Sequence, residues 1–234
     1  MNDVYIIAPL RTAIGNFMGS LSEIHPAKLA AIVIREVLKK TGLEPEQVNE
    51  VILGNVLGAG MGQNLARQAA VAAGIPVDRT AFTVNMVCGS GLRSVVLAAQ
   101  AVRAGDADIM VAGGTENMSL APYILPGART GYRMGNAEIV DYRVRDRLWD
   151  IFNEYHMGIT AENLAEKYGI SRDDQDAFAA QSQNRAEAAI AAGKFAAEIV
   201  AYPVPQRKGD PKLFVTDEYV RPGTTAEQLH KLKP

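Results

Sequence analysis

Residues 81–94 read Ala81-Phe82-Thr83-Val84-Asn85-Met86-Val87-Cys88-Gly89-Ser90-Gly91-Leu92-Arg93-Ser94. An apolar, β-branched run leads into the chain's one cysteine, a Gly-Ser-Gly follows, and a helical pattern starts at once. That order places Cys88 at the mouth of a helix, directly after a buried strand. Free N–H groups and the positive end of the helix dipole favour negative charge there, which suits a cysteine that acts as a nucleophile. A lone buried cysteine is ordinarily a small, inert hydrophobe. Such a cysteine needs no glycines around it, whereas Gly89 and Gly91 leave bare backbone where a substrate carbonyl can approach. The arrangement parallels the strand–nucleophile–helix elbow of hydrolases, although Cys88 is not framed by G-x-S-x-G.

Outward from this stretch the first half alternates short strands with helices. Residues 4–8 read as a buried strand, and 27–41 as a helix with Leu29, Ile32, Val33, Val37 and Leu38 on its apolar stripe, stopping at Gly42. Residues 50–56 are a second strand, 64–73 an alanine-rich helix closed by Gly74-Ile75-Pro76, and 80–87 the strand under Cys88. Leu92, Val95, Val96, Ala99 and Val102 recur at helical spacing, an inward-facing stripe, and 107–112 is another strand. This alternation predicts an α/β fold, a layered sheet with helices on both faces. After residue 119 the texture changes. Proline, glycine and arginine crowd 121–135, a short helix follows over 159–168, and Ser171-Arg172-Asp173-Asp174 opens a longer one that stops at Gly193. Residues 198–204 read as a strand, and 203–234 mostly as loop. The expected division is a core half over 1–118 and an inserted loop or cap domain over 119–234.

Composition narrows the field. With 48% hydrophobic and 21% charged residues the chain reads as a globular protein, and a net charge of -2 favours neither nucleic acid nor an anionic membrane as partner. One cysteine excludes an internal disulfide and fits a reducing compartment; no apolar run approaches membrane length and no basic n-region precedes one, so the expected address is cytoplasmic. Gly58-Ala59-Gly60-Met61-Gly62-Gln63 mimics a dinucleotide loop, but its third glycine position is Gln63 and no acidic partner follows; it reads as a tight turn. His25, His156 and His230 are too scattered for a metal centre.

Asn85-Met86-Val87-Cys88-Gly89-Ser90-Gly91 resembles the acyl-accepting cysteine motif of the thiolase family, and residues 111–119, Val-Ala-Gly-Gly-Thr-Glu-Asn-Met-Ser, resemble the strand and turn that follow it. Arg11-Thr12-Ala13-Ile14-Gly15, residues 62–68, residues 155–163 and Arg207-Lys208-Gly209-Asp210 resemble further thiolase segments in the same order, so the likeness covers the whole chain. The His156-Met157 pair is similar to the short-chain, acetoacetyl-CoA branch. The resemblance implies a layered, mixed-sheet thiolase fold with Cys88 as nucleophile and carrier of an acyl thioester. The reaction implied is reversible acetyl transfer between two acetyl-CoA molecules, with backbone N–H groups at the Cys88 helix stabilising the oxyanion. Coenzyme A thioesters would be substrates, with no permanently bound cofactor.

The same resemblance gives the cap its roles. His156 and Met157 would line the acyl pocket, Leu148 and Gln183 would face the pantetheine arm, and Arg207, Lys208 and Arg221 would lie near the nucleotide end. On residues alone, Arg207-Lys208-Gly209-Asp210 reads as a solvated turn, and His156 is equally a structural histidine. Residues 122–133 resemble the loop through which thiolase dimers pair into tetramers, so a homo-oligomer is expected. The Gly-His-Pro-type, Cys-x-Gly-Gly-Gly and Asn-Glu-Ala-Phe-type motifs of the family's C-terminal half do not occur. The chain therefore reads as an N-terminal part, inactive alone. A longer-chain 3-ketoacyl-CoA thiolase, a cysteine acyltransferase of the condensing type, and a non-catalytic CoA-binding or docking half are the competing readings.

Overall fold

The computed structural model describes residues 3–233; Met1, Asn2 and Pro234, which belong to the termini discussed above, lie outside the described residues. In chain order the elements are β1 (Arg11–Thr12), α1 (Pro26–Thr41), β2 (Glu50–Gly54), α2 (Leu65–Ala73), β3 (Thr80–Val84), α3 (Ser90–Ala104) and β4 (Met110–Gly114). There follow β5 (Tyr123–Ile124), β6 (Val140–Asp141), β7 (Trp149–Asp150), β8 (Tyr155–His156), α4 (Met157–Tyr168), α5 (Arg172–Ala191), β9 (Ile199–Val200), β10 (Tyr202–Val204), β11 (Lys212–Phe214) and α6 (Ala226–Leu229).

Helices α1, α2 and α5 carry their end signals in the sequence, whereas α4 begins at Met157, two residues before the expected start, and α6 falls within the region read as loop. Pro26 sits in the first turn of α1, where its missing N–H costs nothing, and Gly42 closes the helix in the left-handed conformation. Asn64 caps α2 through the Arg67 N–H, and Gly74 ends it. Ser171 and Asp174 form a reciprocal capping box at α5, as their spacing predicts.

Strands β3, β2 and β4 form a parallel sheet in that order, in a register that aligns Val84, Gly54 and Gly114 at its C-terminal edge. Helices α1 and α2 bury their alanine-rich faces with Val51 and Leu53 of β2 on one side. Helix α3 covers the other side: a Cβ added to Gly54 would lie 2.5 Å from the Ser90 carbonyl carbon and 2.6 Å from the Gly91 nitrogen. Helices on both faces of a sheet are the layered α/β arrangement expected from the alternation.

Two expectations fail in instructive ways. Residues 4–8 are not a buried strand. No described strand pairs with them, and Tyr5, Ile6 and Ile7 stand 77%, 75% and 67% exposed. Alternatively put in physical terms, apolar β-branched composition supplies the tendency, but a strand exists only where a neighbour accepts its hydrogen bonds. The stripe Leu92, Val95, Val96, Ala99 and Val102 is not the buried face of α3 either. Its buried residues are Ser90, Ser94 and Ala98, and Leu92 is 71% exposed. Small side chains win that face because the helix presses its backbone onto Gly54 and Gly114; a Cβ on Gly114 would sit 3.4 Å from the Gly91 Cα. The displaced residues Val95, Ala99 and Val102 line a groove of about 1080 Å³ together with residues 3–12, strand β4 and Leu29, Val33 and Val37 of α1.

The expected 198–204 strand divides into β9 and β10. The first pairs in parallel with β1, and the second forms an antiparallel hairpin with β11, within the region read as loop. Arg11 anchors this return: its Nη1 and Nη2 donate to Asp217 at 2.7 and 3.0 Å, and its Nε to Glu198 at 2.7 Å. The guanidinium's hydrogen bonds hold the Asp217 carboxyl below the usual carboxylate range, against the opposing effect of its burial.

Candidate active site

Three parallel strands ending level put three loops at one edge, the place where an open parallel sheet presents its ligand-binding groups. The loops run from Val84 to Ser90, from Gly54 to Leu57, and from Gly114 to Asn117. They are tied together by hydrogen bonds. Asn55 N–H donates to the Val84 carbonyl at 3.1 Å, and Thr115 N–H to the Gly54 carbonyl at 3.0 Å. The Glu116 carboxylate accepts from Asn55 Nδ2 at 2.7 Å and from the Val56 N–H at 2.9 Å. Asn117 Nδ2 donates to the carbonyls of Leu21 and Ile24, fixing the segment before α1.

Cys88 stands on the first of these loops and is solvent-exposed. The loop is a tight turn. Gly89 N–H donates to the Met86 carbonyl at 3.0 Å and Ser90 N–H to the Val87 carbonyl at 3.1 Å. Val87 has φ +47°, a left-handed conformation that a β-branched residue adopts only under constraint. Helix α3 starts two residues beyond the cysteine with no side chain capping it. Among the described residues the N–H of Cys88 donates to no acceptor, which leaves it free for an oxyanion. An exposed thiol on a strained turn, beside a free N–H and a helix N-terminus, can receive an acyl group and steady the tetrahedral oxyanion of that transfer.

The cap residues fall in separate places. His156 is the last residue of β8 and caps α4, its Nδ1 accepting the Gly158 N–H at 3.0 Å. Met157 opens α4 and is exposed. Leu148, half-buried, ends a short π-helical turn. Gln183 of α5 accepts the Arg221 N–H at 2.8 Å, so these two predicted residues do meet. Arg207 and Lys208 lie exposed in the turn between β10 and β11. Among the described residues no hydrogen bond or ion pair joins any of them to Cys88. No group of three metal-ligating side chains occurs among the described residues, and none of their helices is long and apolar enough to cross a membrane.

Sequence reasoning passes over Asn55, Ser90, Glu116 and Asn117 as site-building residues. Their signal was present: polar side chains in the loops that follow β2, β3 and β4, where hydrogen bonding among the loops makes them useful.

The fold and this edge define a protein of the thiolase family, and the chain belongs to it: the model "Thiolase, N-terminal domain" matches residues 4–234. Among its relatives, the acetyl-CoA acetyltransferase of Pseudomonas aeruginosa is 62% identical over the whole chain, which covers 60% of that protein. That of Cupriavidus necator is 58% identical with the same coverage. The crystal structure of the Bacillus anthracis acetyl-CoA acetyltransferase superposes with a TM-score of 0.91 at 39% identity, over 97% of this chain and 57% of that one. The chain thus spans about 60% of the length of the curated relatives it matches.

Proposed function

We propose that this chain is the N-terminal part of an acyltransferase that joins two acetyl-CoA molecules into acetoacetyl-CoA and free CoA, reversibly, with Cys88 carrying the acetyl group. The observation that carries the reading is the exposed Cys88 on its left-handed turn at the C-terminal edge of the sheet, in a chain whose similar relatives bear the acetyl-CoA acetyltransferase name. In the first half-reaction the Cys88 sulfur bonds to the thioester carbon, and CoA leaves as its thiol with the proton that Cys88 gives up. In the second, an acetyl-CoA that has lost a methyl proton attacks the acetyl-cysteine; a carbon–carbon bond forms and the sulfur is released. The Cys88 N–H stabilises the oxyanion in both.

In this reading residues 1–118 are half of the catalytic core and 119–234 an inserted cap. Leu148, His156, Met157, Gln183, Arg207, Lys208 and Arg221 hold the acyl-CoA, which is a substrate and not a resident cofactor. The acid and base come from a C-terminal half that also covers the apolar groove beside residues 3–12. The complete enzyme is a cytoplasmic homo-oligomer, a tetramer through residues 122–133. Cys88→Ala in the complete enzyme is expected to reduce acetyl transfer by at least about 10³-fold. Near-normal turnover by that variant would remove Cys88 from the mechanism.

A further inference from the structure

The turn that bears Cys88 is closed by one buried hydroxyl. Ser90, only 4% exposed, accepts the Met86 N–H at 2.8 Å and donates to the Val87 carbonyl at 2.6 Å. It therefore bridges the two outer ends of the Met86–Val87 dipeptide, the pair that contains the left-handed Val87. Asn85 Oδ1, which accepts the Val87 N–H at 2.9 Å, bonds the peptide between them. The backbone that carries this hydroxyl is held in place, because Ser90 and Gly91 lie against Gly54 with no room for a Cβ there.

We infer that Ser90 is a positioning residue for acyl transfer: its hydroxyl holds Val87 in the left-handed conformation and so aims the Cys88 thiol at the thioester. This rests on Cys88 being the acyl acceptor. The physical reason is local. A β-branched residue left to itself abandons φ +47° for an extended conformation, and the residue that follows then points elsewhere. Glycine takes a left-handed φ without that penalty. The need for the Ser90 hydroxyl must then shrink when position 87 is glycine.

That dependence supplies the test, made in the complete enzyme. Acetyl-CoA is first used to label the unaltered protein, and mass spectrometry locates the acetyl group; if Cys88 carries none, the proposed function falls before Ser90 is in question. With Cys88 labelled, Ser90→Ala is expected to lower kcat and the rate of Cys88 alkylation by iodoacetamide about tenfold or more, with KM changed less than about twofold. In a Val87→Gly background the same Ser90→Ala change is expected to cost less than about threefold. An unaltered kcat in Ser90→Ala, or an equal loss in both backgrounds, overturns the inference. If Ser90→Ala alone does not fold, the Val87→Gly pair decides it. A double variant that fails to fold as well makes the hydroxyl a stability element and overturns the inference too.

Discussion

The sheet half and the cap of this protein are built on different principles. Around β2, helices α1 and α2 enclose a core in which Val48, Val51, Ala66 and Ala69 are sealed from solvent. The return segment belongs to the same body: Tyr202 and Phe214 pack with Ala13, Leu21 and Leu29, and Arg11 ties it down. By contrast α4 buries no residue and α5 only Asp176 and Ala180, although Phe178 and Tyr168 sit on those helices. Phe152, before α4, is 92% exposed. Burial of apolar area is the main source of stability, so the sheet half carries its own, whereas the cap's apolar side chains are unspent and suited to other surfaces. On the proposed function, the region that orders the nucleophile is rigid by itself, and the region proposed to meet substrate and other subunits keeps its contacts in reserve.

The largest expected effect tests that division of labour. If acid and base reside outside the chain, residues 1–234 alone turn over acetoacetyl-CoA at least about 10⁴-fold more slowly than the complete enzyme, since positioned acid–base groups contribute roughly 10²–10⁴-fold each. Steady thiolysis by a homogeneous sample of these residues contradicts it. Next in size is a paired substitution across the boundary. Leu53→Ala, within the sheet core, is expected to cost about 2–5 kcal/mol, and Phe178→Ser on α5 within about 0.5 kcal/mol in residues 1–234 alone. Urea unfolding of both variants measures the contrast; equal losses would mean that the cap has a core of its own.

The smallest effect concerns the strap that joins the return segment to β1. Hydrogen bonds from Arg11 hold the Asp217 carboxyl below its ordinary value, so the folded chain binds that proton less readily than the unfolded one. The resulting stability is fully present above about pH 4, the ordinary carboxylate range, and is lost as pH falls through the depressed value. Asp217→Asn is expected to cost about 1–2 kcal/mol at pH 7 and less at pH 3. Denaturant midpoints at the two pH values check the sign, and a loss that grows on acidification contradicts it.

Local signals carried most of the helices. Pro26 with Gly42, Asn64 with Gly74, and the Ser171 box mark ends through chemistry contained in a few neighbouring residues. What sequence leaves obscure depends on distant partners. Residues 4–8 have strand composition without a described neighbour to bond. The face of α3 follows from how closely Gly54 and Gly114 let a backbone approach, which helical periodicity of bulky residues does not encode. Hairpin β10–β11 hides among proline, lysine and glycine because Tyr202 and Phe214, paired across it, reach a core formed with Leu21 and Leu29, far earlier in the chain. Cys88 was legible from its glycines, whereas the hydroxyl of Ser90 between them reads as turn composition until its two bonds are seen.

On the proposed function, the turn after β3 presents Cys88 as an acyl acceptor. Brief incubation of the complete enzyme with acetyl-CoA, acid quenching and peptide mass spectrometry test it directly. One acetyl group is expected on the peptide containing Cys88, absent in Cys88→Ala and discharged when free CoA is added. An acetyl group on any other residue, or unchanged labelling of the Cys88→Ala protein, would contradict it.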